Sequence, residues 1–379
     1  MRRSFTFAVS LLVVLHLYIG IRLIPALPLG LAGQIVSVAG LVLSCLLLPL
    51  GLLARGIQRQ PLSDRLAWAG MLAMGLFSSL FVLTLLREVV LLVGLLLAAS
   101  QYAELVQWSA VAVPALALLV TLIGFVNARR RAHVVNVDVP VAGLPANLNG
   151  FTIAQISDIH VGPTIKRNYL DAIVNKVNTL NADVIAVTGD LVDGSVADLN
   201  QHTAPLARLS ARHGTYFVTG NHEYYSGADE WTAELRRLGL HVLLNEHVVL
   251  QHDGVAPLVL AGVTDYGAHH FNEAQRSDPV AAMAGAPADA GIKVLLAHQP
   301  RTATAAAAAG FDLQLSGHTH GGQFWPWNLF VRFQQPFTAG LNQLNQLWVY
   351  TSRGTGYWGP PKRFGAPSEI TRLRLVTAP

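Results

Sequence analysis

The stretch Leu315–Gly322, with the sequence LSGHTHGG, decides how the second half of this chain folds. It follows a short apolar segment, Phe311–Leu315, and places His318 and His320 among glycines with little side-chain bulk around them. A strand that ends in this way presents two imidazoles at the edge of a sheet, which is half of a metal site. Short motifs often occur by chance, so two solvated histidines in a turn are the alternative. The rest of the chain has to supply the other ligands.

Metal-capable side chains follow four further apolar segments in the same half of the chain. Each segment is short, rich in β-branched or other apolar residues and bounded by turn residues, which predicts a strand. The residues after these strands are Asp158 and His160, Asp190 and Asp193, Asn221 and His222, and His298. Ligands of open α/β sheets bind outside the carboxyl ends of the strands. A buried histidine or a solvated aspartate explains any one of these positions, but five such strand ends together predict a metal centre.

The segments between these strands have the pattern of an α/β domain. Val134–Val139 alternates in polarity and predicts an edge strand. His241–Leu244, His247–Gln251 and Leu258–Gly262 predict three short strands of a meander. Ser277–Gly291 is rich in alanine, glycine and proline and predicts a loop.

The first third of the chain has the composition of a membrane protein. The 379 residues are 52% hydrophobic and only 13% charged, which is too apolar for an ordinary soluble enzyme. Four apolar runs approach the ~20 residues needed to cross a bilayer. They are Phe5–Ile24, Gln34–Ala54, Leu66–Leu86 and Ser109–Val126. We therefore divide the chain into a transmembrane helical region, residues 1–132, and a soluble α/β domain, residues 133–379.

The number of spans decides which side of the membrane the soluble domain faces. Val89–Ala99 allows three interpretations: a fifth span together with its flanks, a re-entrant piece, or an extension of the third helix. Arginine clusters flank the spans: Arg2 and Arg3, then Arg55, Arg59 and Arg65, then Arg129, Arg130 and Arg131. Four spans place all three clusters on one side, which the positive-inside rule assigns to the cytoplasm. We expect a multi-pass protein of the cell membrane with a cytoplasmic domain, whereas five spans would place that domain outside.

The net charge of +4 does not indicate a nucleic-acid partner. Residues 1–132 carry ten arginines against three acidic residues, a net charge of +7, and residues 133–379 carry 16 basic against 19 acidic residues, a net charge of −3. A mildly acidic soluble domain argues against a polyanion-binding surface. The one cysteine, Cys45, lies in an apolar run, so no disulfide forms within one chain.

The five polar blocks resemble those of the calcineurin-like metallophosphoesterase family. The blocks are Asp158-Ile-His160, Gly189-Asp190-Leu-Val-Asp193, Gly220-Asn221-His222-Glu223, Ala-His298-Gln-Pro and Gly317-His318-Thr-His320. The segment Ser352–Gly365 is similar to the end of a bacterial branch of that family. With the apolar helices ahead of it, the whole chain resembles transmembrane metallophosphoesterases. The resemblance implies a membrane helical bundle followed by a two-sheet αββα sandwich.

The resemblance also implies how the ligands are shared between two divalent metal ions. Asp190 would bridge the ions; Asp158, His160 and His320 would complete one site, and Asn221, His298 and His318 the other. A ligand set of carboxylate, carboxamide and imidazole without thiolate suits Mn²⁺, Fe or Zn²⁺. Two such ions acidify a bridging water and clamp a phosphate ester for in-line attack.

Two further residues resemble the catalytic acid of the family and its partner. His222 would donate a proton to the leaving oxygen, and Asp193 would orient its ring; a purely structural role for His222 beside the metals is the alternative. Gly194 stands where many family phosphatases have arginine, which argues against protein phosphatase activity. Arg353 or Arg363 would contact the substrate phosphate, unless they are solvated surface arginines.

The function expected from these features is a membrane-anchored, metal-dependent phosphoesterase (a hydrolase). A lipid or nucleotide-linked lipid is one substrate, because aromatic residues between Phe324 and Phe337 suit a membrane interface. The preferred explanation of those rings is that they cover the core of the domain. A phosphate-ligand receptor or transporter without turnover is one alternative function, and a nuclease is another. The sequence does not fix the oligomeric state.

Overall fold

The computed structural model describes residues 2–57, 59–97, 99–254 and 257–378. The chain divides into two compact units. One consists of Met1–Val126 with Gly359–Lys362, and the other of Asn127–Trp358 with Arg363–Pro379. The first unit is built of apolar helices, and the second holds the strands.

The first unit has four described helices that are long and apolar enough to cross a membrane. They are α1 (Arg2–Leu23), α2 (Leu31–Leu53), α3 (Leu62–Leu97) and α4 (Tyr102–Arg129). With 36 residues, α3 exceeds the ~20 residues that one span requires. It includes all but the last residues of the segment Val89–Ala99, so that segment extends the third helix. The described residues therefore hold four candidate spans and not five.

Close helix contacts and an ion pair hold this unit together. A Cβ on Gly51 of α2 would lie 2.6 Å from Cα of Gly70 in α3, so glycines let the two backbones meet. Arg22 of α1 forms an ion pair with Glu88 of α3 at 2.5 Å. Such pairing offsets the high cost of placing a charge within a membrane-spanning region.

The second unit contains two six-stranded sheets. The first sheet consists, in spatial order, of β1 (His133–Val141), β12 (Glu369–Thr377), β2 (Thr152–Ile156), β3 (Val184–Val187), β4 (Thr215–Phe217) and β5 (His241–Val242). The second consists of β10 (Gly340–Leu344), β11 (Leu347–Thr351), β9 (Leu313–Ser316), β8 (Ile292–Leu296), β7 (Pro257–Gly262) and β6 (Glu246–Gln251). In the first sheet β2, β3, β4 and β5 are neighbours in this order, and each pairs in parallel with the next. In the second sheet β7, β8, β9 and β11 do the same. The strand ends that carry the polar blocks therefore lie at common sheet edges.

The main core lies between the two sheets. Val184 of β3 shares a buried cluster with Leu260 of β7 and Val294 of β8. The next residue of β3, Ile185, points to the opposite face and is also buried. Strands of a parallel sheet are buried on both faces in this way because helices cover the outer face.

Helices cover the outer face of each sheet and complete the sandwich. On the first sheet these are α5 (Arg167–Asn178), α6 (Val196–Thr203) and α8 (Ala228–Arg237), which contribute the buried side chains Val174, Leu199 and Trp231. On the second sheet they are α9 (Pro279–Met283) and α10 (Ala303–Ala308). The short helix α7 (Asn221–Ser226) begins at one of the polar blocks. This arrangement confirms the predicted two-sheet αββα sandwich.

The meander predicted over residues 241–262 is wrong. β5 pairs in parallel with β4, opposite Tyr216 and Phe217, and so ends the first sheet. β6 and β7 form an antiparallel pair at the edge of the second sheet. The chain crosses between the sheets at Asn245, whose positive φ of 58° is a conformation that asparagine tolerates. The predicted loop over Ser277–Gly291 also contains α9.

Candidate metal centre

The residues predicted at the strand ends come together in the second unit. The first sheet supplies Asp158 and His160 after β2, Asp190 after β3 and Asn221 after β4. The second sheet supplies His298 after β8, and His318 and His320 after β9. Positive φ angles are found at Asp158 (53°), His160 (56°), Asp190 (50°), His318 (70°) and His320 (52°). Such angles are unfavourable for these residue types and cluster at functional sites.

Asp158, His160 and His320 form one group of possible ligands, with one atom from each lying within 4.8 Å of the others. Nε2 of His160 lies 3.0 Å from Nε2 of His320. The same His320 atom lies 3.5 Å from Oδ1 of Asp158. All three residues are buried. Two ring nitrogens and a carboxylate oxygen that face one another form a donor set for a divalent cation.

Asp190, His298 and His318 form a second group of the same kind. Nε2 of His298 lies 3.1 Å from Oδ2 of Asp190 and 3.2 Å from Nδ1 of His318. On its other side, Nδ1 of His298 donates to the carbonyl of Thr188 at 2.8 Å. That hydrogen bond fixes the ring with Nε2 toward the other members of the group, as is usual for metal-binding histidines.

Asp190 lies between the two groups. Its Oδ2 is 3.1 Å from Nε2 of His298 and 3.9 Å from Nε2 of His160. Burial alone would raise the pKa of Asp190, but the imidazoles of His298, His222 and His160 hold it well below its usual range. An ionised carboxylate in this position can serve both groups.

The side chain of Asn221 supports a cation at this site. Its Oδ1 is buried and has no hydrogen-bond partner among the described atoms. Leaving a buried carbonyl oxygen unsatisfied costs about 1–3 kcal/mol, and a cation would be its partner. The donor set as a whole fits two borderline divalent ions.

His222 and Asp193 form a hydrogen-bonded pair beside these groups. Nδ1 of His222 lies 2.5 Å from Oδ1 of Asp193, and the same oxygen lies 3.3 Å from Nδ1 of His160. Burial favours the neutral forms of both groups, but the attraction between them favours the charged forms. The two imidazoles hold the pKa of Asp193 well below its usual range, and the hydrogen bond to Asp193 raises the pKa of His222. His222 therefore holds a proton more readily than a free imidazole.

The two histidines of the Gly-His-Thr-His block are held neutral. Burial, with a smaller effect of the charge of His298, lowers the pKa of His318 to about 3. Burial and the neighbouring Arg363 lower the pKa of His320 well below its usual value. Neutral imidazole is the form that binds metal ions.

Gly317 allows the two sheets to approach closely at this site. A Cβ at this position would lie 2.0 Å from Oγ of Ser157 and 2.1 Å from Oδ2 of Asp158. The backbone N–H of His318 donates to both carboxylate oxygens of Asp158, at 2.9 and 3.1 Å. The end of β9 is therefore tied directly to Asp158, a candidate ligand that follows β2 of the first sheet.

Glu223 is a site residue to which the strand-end pattern assigns no role. Its Oε2 accepts hydrogen bonds from the backbone N–H groups of Asp190 (3.0 Å) and Gly220 (2.7 Å), and its Oε1 accepts one from Leu191 (2.7 Å). Burial, together with the charge of Asp190, raises the pKa of Glu223 to about 7. Its carboxylate fixes the loop after β3 to the loop after β4. The signal in the sequence was its place in the Gly-Asn-His-Glu block.

The two arginines expected to contact substrate lie in different surroundings. Arg363 is only 1% exposed, and Nη2 donates to Nδ1 of His320 at 3.0 Å. Its other donors reach backbone carbonyls, among them those of Gly356 and Arg353. This geometry favours a role in positioning His320 over contact with a phosphate. Arg353 is partly exposed and forms an ion pair with Glu369 at 2.9 Å.

The aromatic rings between Phe324 and Phe337 differ in their surroundings. Phe324 is buried, and Phe337 packs against the core of the second sheet. Trp327 and Phe330 are exposed, and Phe333 is 77% exposed. The preferred expectation that these rings cover the core is therefore wrong for part of the segment.

Comparison with known proteins identifies the stretch that carries this site. The sequence profile described as calcineurin-like phosphoesterase matches residues 151–322, which include all the metal-ligand candidates. A transmembrane protein with metallophosphoesterase domain from Bos taurus is 43% identical over 281 residues, covering 70% of this chain and 63% of that protein. An uncharacterised metallophosphoesterase of Campylobacter jejuni is 37% identical over 261 residues, covering 66% of this chain and 64% of that protein. This chain thus spans slightly less than two thirds of the length of these two relatives.

A shorter relative is covered almost completely. An uncharacterised metallophosphoesterase of Aquifex aeolicus is 31% identical over 225 residues, covering 59% of this chain and 84% of that protein. Because cattle as well as bacterial proteins match, the bacterial branch expected from Ser352–Gly365 is not supported.

Proposed function

We propose that two divalent ions in this chain act on phosphate mono- or diesters. The premise is that the chain belongs to the calcineurin-like phosphoesterase family and is a metal-dependent phosphoesterase. The observation that carries the proposal is the pair of donor groups with Asp190 between them, all buried except the half-buried His318. The four apolar helices and the transmembrane relatives make the chain a membrane protein.

One ion would be held by Asp158, His160 and His320, the other by Asn221, His298 and His318, and Asp190 would contact both. Mn²⁺, Fe or Zn²⁺ fits these oxygen and nitrogen donors. When bound, the ions supply Lewis acidity, which makes water a nucleophile near neutral pH and neutralises charge on the phosphoryl oxygens.

His222 supplies the proton that the leaving group requires. During hydrolysis a water oxygen bonds to phosphorus, the ester P–O bond breaks, and the leaving oxygen takes up a proton. His222 holds that proton on Nε2 because Asp193 accepts from Nδ1 on the other side of the ring. The raised pKa of His222 is consistent with this role. General acids of this kind contribute about 10²- to 10⁴-fold to the rate.

A lipid or nucleotide-linked lipid of the membrane is the substrate class that we propose. The exposed rings of Trp327, Phe330 and Phe333 support contact with a membrane interface, where aromatic side chains are enriched. Four spans and the three arginine clusters support a protein of the cell membrane whose catalytic domain faces the cytoplasm.

The first experiment tests turnover. The full chain, purified in detergent and loaded with Mn²⁺, should hydrolyse bis(4-nitrophenyl) phosphate, and Asp190→Ala should abolish that activity. Asp253→Ala is the matched control, since Asp253 is exposed and pairs with Arg212 at the surface. Unchanged turnover in Asp190→Ala would contradict the assigned site. Tight binding of phosphate esters without hydrolysis under Mn²⁺, Fe²⁺ or Zn²⁺ would favour a receptor.

Two further measurements address substrate and orientation. A panel of phospholipids and nucleotide-linked lipids, presented in mixed micelles, should contain a substrate that is cleaved faster than DNA. Protease added to intact cells should leave the second unit uncut if that unit is cytoplasmic, and cleavage there would reverse the orientation.

A further inference from the structure

Two exposed aromatic side chains lie against the proposed general acid, and a third packs on one of them. The ring centroid of His222 is 5.3 Å from that of Tyr225 and 5.7 Å from that of Trp358, and Phe271 lies 5.6 Å from Tyr225. Tyr225 is 63% exposed, Phe271 55% and Trp358 51%. We call these three residues the aromatic rim.

The rim does not belong to the hydrophobic core. Tyr224 and Tyr357 directly precede Tyr225 and Trp358, and both are buried. The chain thus places one ring of each pair in the interior and the other in solvent beside the site. A cluster of exposed rings at a reactive centre commonly marks a ligand-binding surface.

Hydrogen bonds fix the backbone of Trp358 and the tyrosine that precedes Tyr225. The buried Gln323, three residues after His320, accepts from the backbone N–H of Trp358 at 2.8 Å and donates to its carbonyl at 2.9 Å. The hydroxyl of Tyr224 donates to Gln275 at 2.7 Å, and its ring packs against Phe271 at 5.6 Å. Trp358 is therefore tied to the loop that follows His320, and Phe271 packs against the helix that carries His222 and Tyr225.

The position of the rim defines which part of a substrate it meets. A general acid must lie within hydrogen-bond reach of the oxygen it protonates. The carbon group attached to the leaving oxygen therefore extends past His222 and onto the rim. The rim offers flat apolar faces and no charged side chain, and such faces favour stacking with another ring.

We infer that the aromatic rim is the leaving-group subsite and that it selects phosphate esters whose leaving alcohol carries a planar aromatic group. This inference rests on the proposed function, because it takes His222 as the proton donor. The planar group can be an aryl ring or a nucleobase, and the rim provides the same stacking surface for both.

A binding experiment tests the subsite without turnover. Naphthylmethyl, benzyl and decyl phosphonates are titrated into the Mn²⁺-loaded full chain by calorimetry. We expect the naphthylmethyl compound to bind roughly five- to tenfold more tightly than the benzyl compound, as one added stacked ring suggests. In Tyr225→Ala and Trp358→Ala this preference should fall below about twofold, and Trp358→Phe should restore most of it.

A matched control separates the rim from general surface aromaticity. Tyr266 is similarly exposed, and the described cation–π contact of its ring is with Arg301. Tyr266→Ala should keep the full preference for the naphthylmethyl compound. An equal gain for the decyl compound would overturn selection for planar groups, since it would show recognition of apolar area alone. The same titration with a uridine 5′-phosphonate tests whether a nucleobase binds to the same surface. If it does, the affinity for this compound should fall in Trp358→Ala.

A kinetic experiment separates failure of the subsite from failure of the proposed function. The ratio of kcat/KM for 2-naphthyl and phenyl phosphate esters, whose leaving groups are similarly acidic, is compared among the same variants. The ratio should fall about fivefold in Trp358→Ala. Hydrolysis with an unchanged ratio would overturn the subsite alone. No hydrolysis of either ester by the metal-loaded wild type would overturn the proposed function and, with it, the leaving-group role.

Discussion

Replacing Glu223 with glutamine tests whether its carboxylate holds the ligand loops together. Oε2 accepts from the backbone N–H groups of Asp190 and Gly220, and Oε1 accepts from that of Leu191. A glutamine carbonyl oxygen can keep the first two bonds. The amide NH₂ group would then face the N–H of Leu191, so that two buried donors meet and neither is satisfied.

The cost of this change follows from the lost acceptor. One buried backbone N–H without a partner costs about 1–3 kcal/mol. For a domain of this size 1 kcal/mol lowers the melting temperature by about 2–4 °C, so a loss of ~2 kcal/mol corresponds to roughly 4–8 °C. Because Asp190 and Asn221 lie on the loops that move apart, metal affinity should also fall by about 10- to 100-fold.

The assay combines thermal unfolding with metal titration at pH 8, above the pKa of about 7 to which burial raises Glu223. The full chain in detergent is melted with and without Mn²⁺, and Mn²⁺ affinity is measured by calorimetry. Glu273→Gln is the control, because Glu273 is exposed and its loss should change stability by less than about 0.5 kcal/mol. A Glu223→Gln variant with unchanged melting and metal affinity would refute the positioning role.

Four other outcomes follow from the structure. His222→Gln should slow hydrolysis of phenyl esters by about 10²-fold or more but affect 4-nitrophenyl esters much less, since that leaving group requires little protonation; equal losses for both would argue against an acid role. Gly317→Ala should lower the melting temperature and Mn²⁺ affinity because its Cβ has no space, whereas Gly30→Ala meets nothing within 4 Å and should change neither. Burial, followed by the charge of His252, lowers the pKa of His213, so the folded state binds that proton less readily than the unfolded chain. The contribution of His213 to stability is present above pH ~6.5 and is lost as the pH falls below that value. The melting temperature should therefore change less between pH 7.5 and 5.5 in His213→Gln than in wild type. An equal change in the two proteins would contradict this. Chelation by EDTA should abolish turnover and lower the melting temperature, and Mn²⁺ should restore both; activity that survives chelation would contradict metal dependence.

The strand-end residues were predictable because local pattern determines them. A short apolar strand followed by Asp158 and His160, or by Asp190, is evident in the sequence, and parallel pairing brings such ends to one edge. The sheet to which β5 belongs was not predictable from the sequence. A strand of only two residues can pair with several neighbours, and tertiary contacts determine which one it joins. The length of α3 was also left open by the sequence, which allowed a fifth span, a re-entrant piece or an extension of the third helix over Val89–Ala99. Glu88 lies within the apolar helix that forms, and its pairing with Arg22 accommodates the charge there.

The supporting residues around the site were less accessible to sequence reasoning. Arginine is rarely buried, so the sequence predicts a surface position or a phosphate contact for Arg363. Its burial depends on backbone carbonyls that come together only in the finished fold, among them that of Gly356. Glu223 is similar, because its three partners are backbone groups whose positions depend on loop conformations with positive φ, as at Asp190.

The candidate ligands are divided between the two sheets, so metal binding would act as a cross-link. Asp158, His160, Asp190 and Asn221 follow strands of the first sheet, and His298, His318 and His320 follow strands of the second. Neither sheet carries the whole donor set, so an ion held by both groups would recognise the closed sandwich and not the unfolded polypeptide. A ligand with that preference stabilises the folded state by about 2.7 kcal/mol at a free concentration 100 times its Kd. Metal bound in this way would therefore hold the two sheets of the domain together, in addition to any role in turnover.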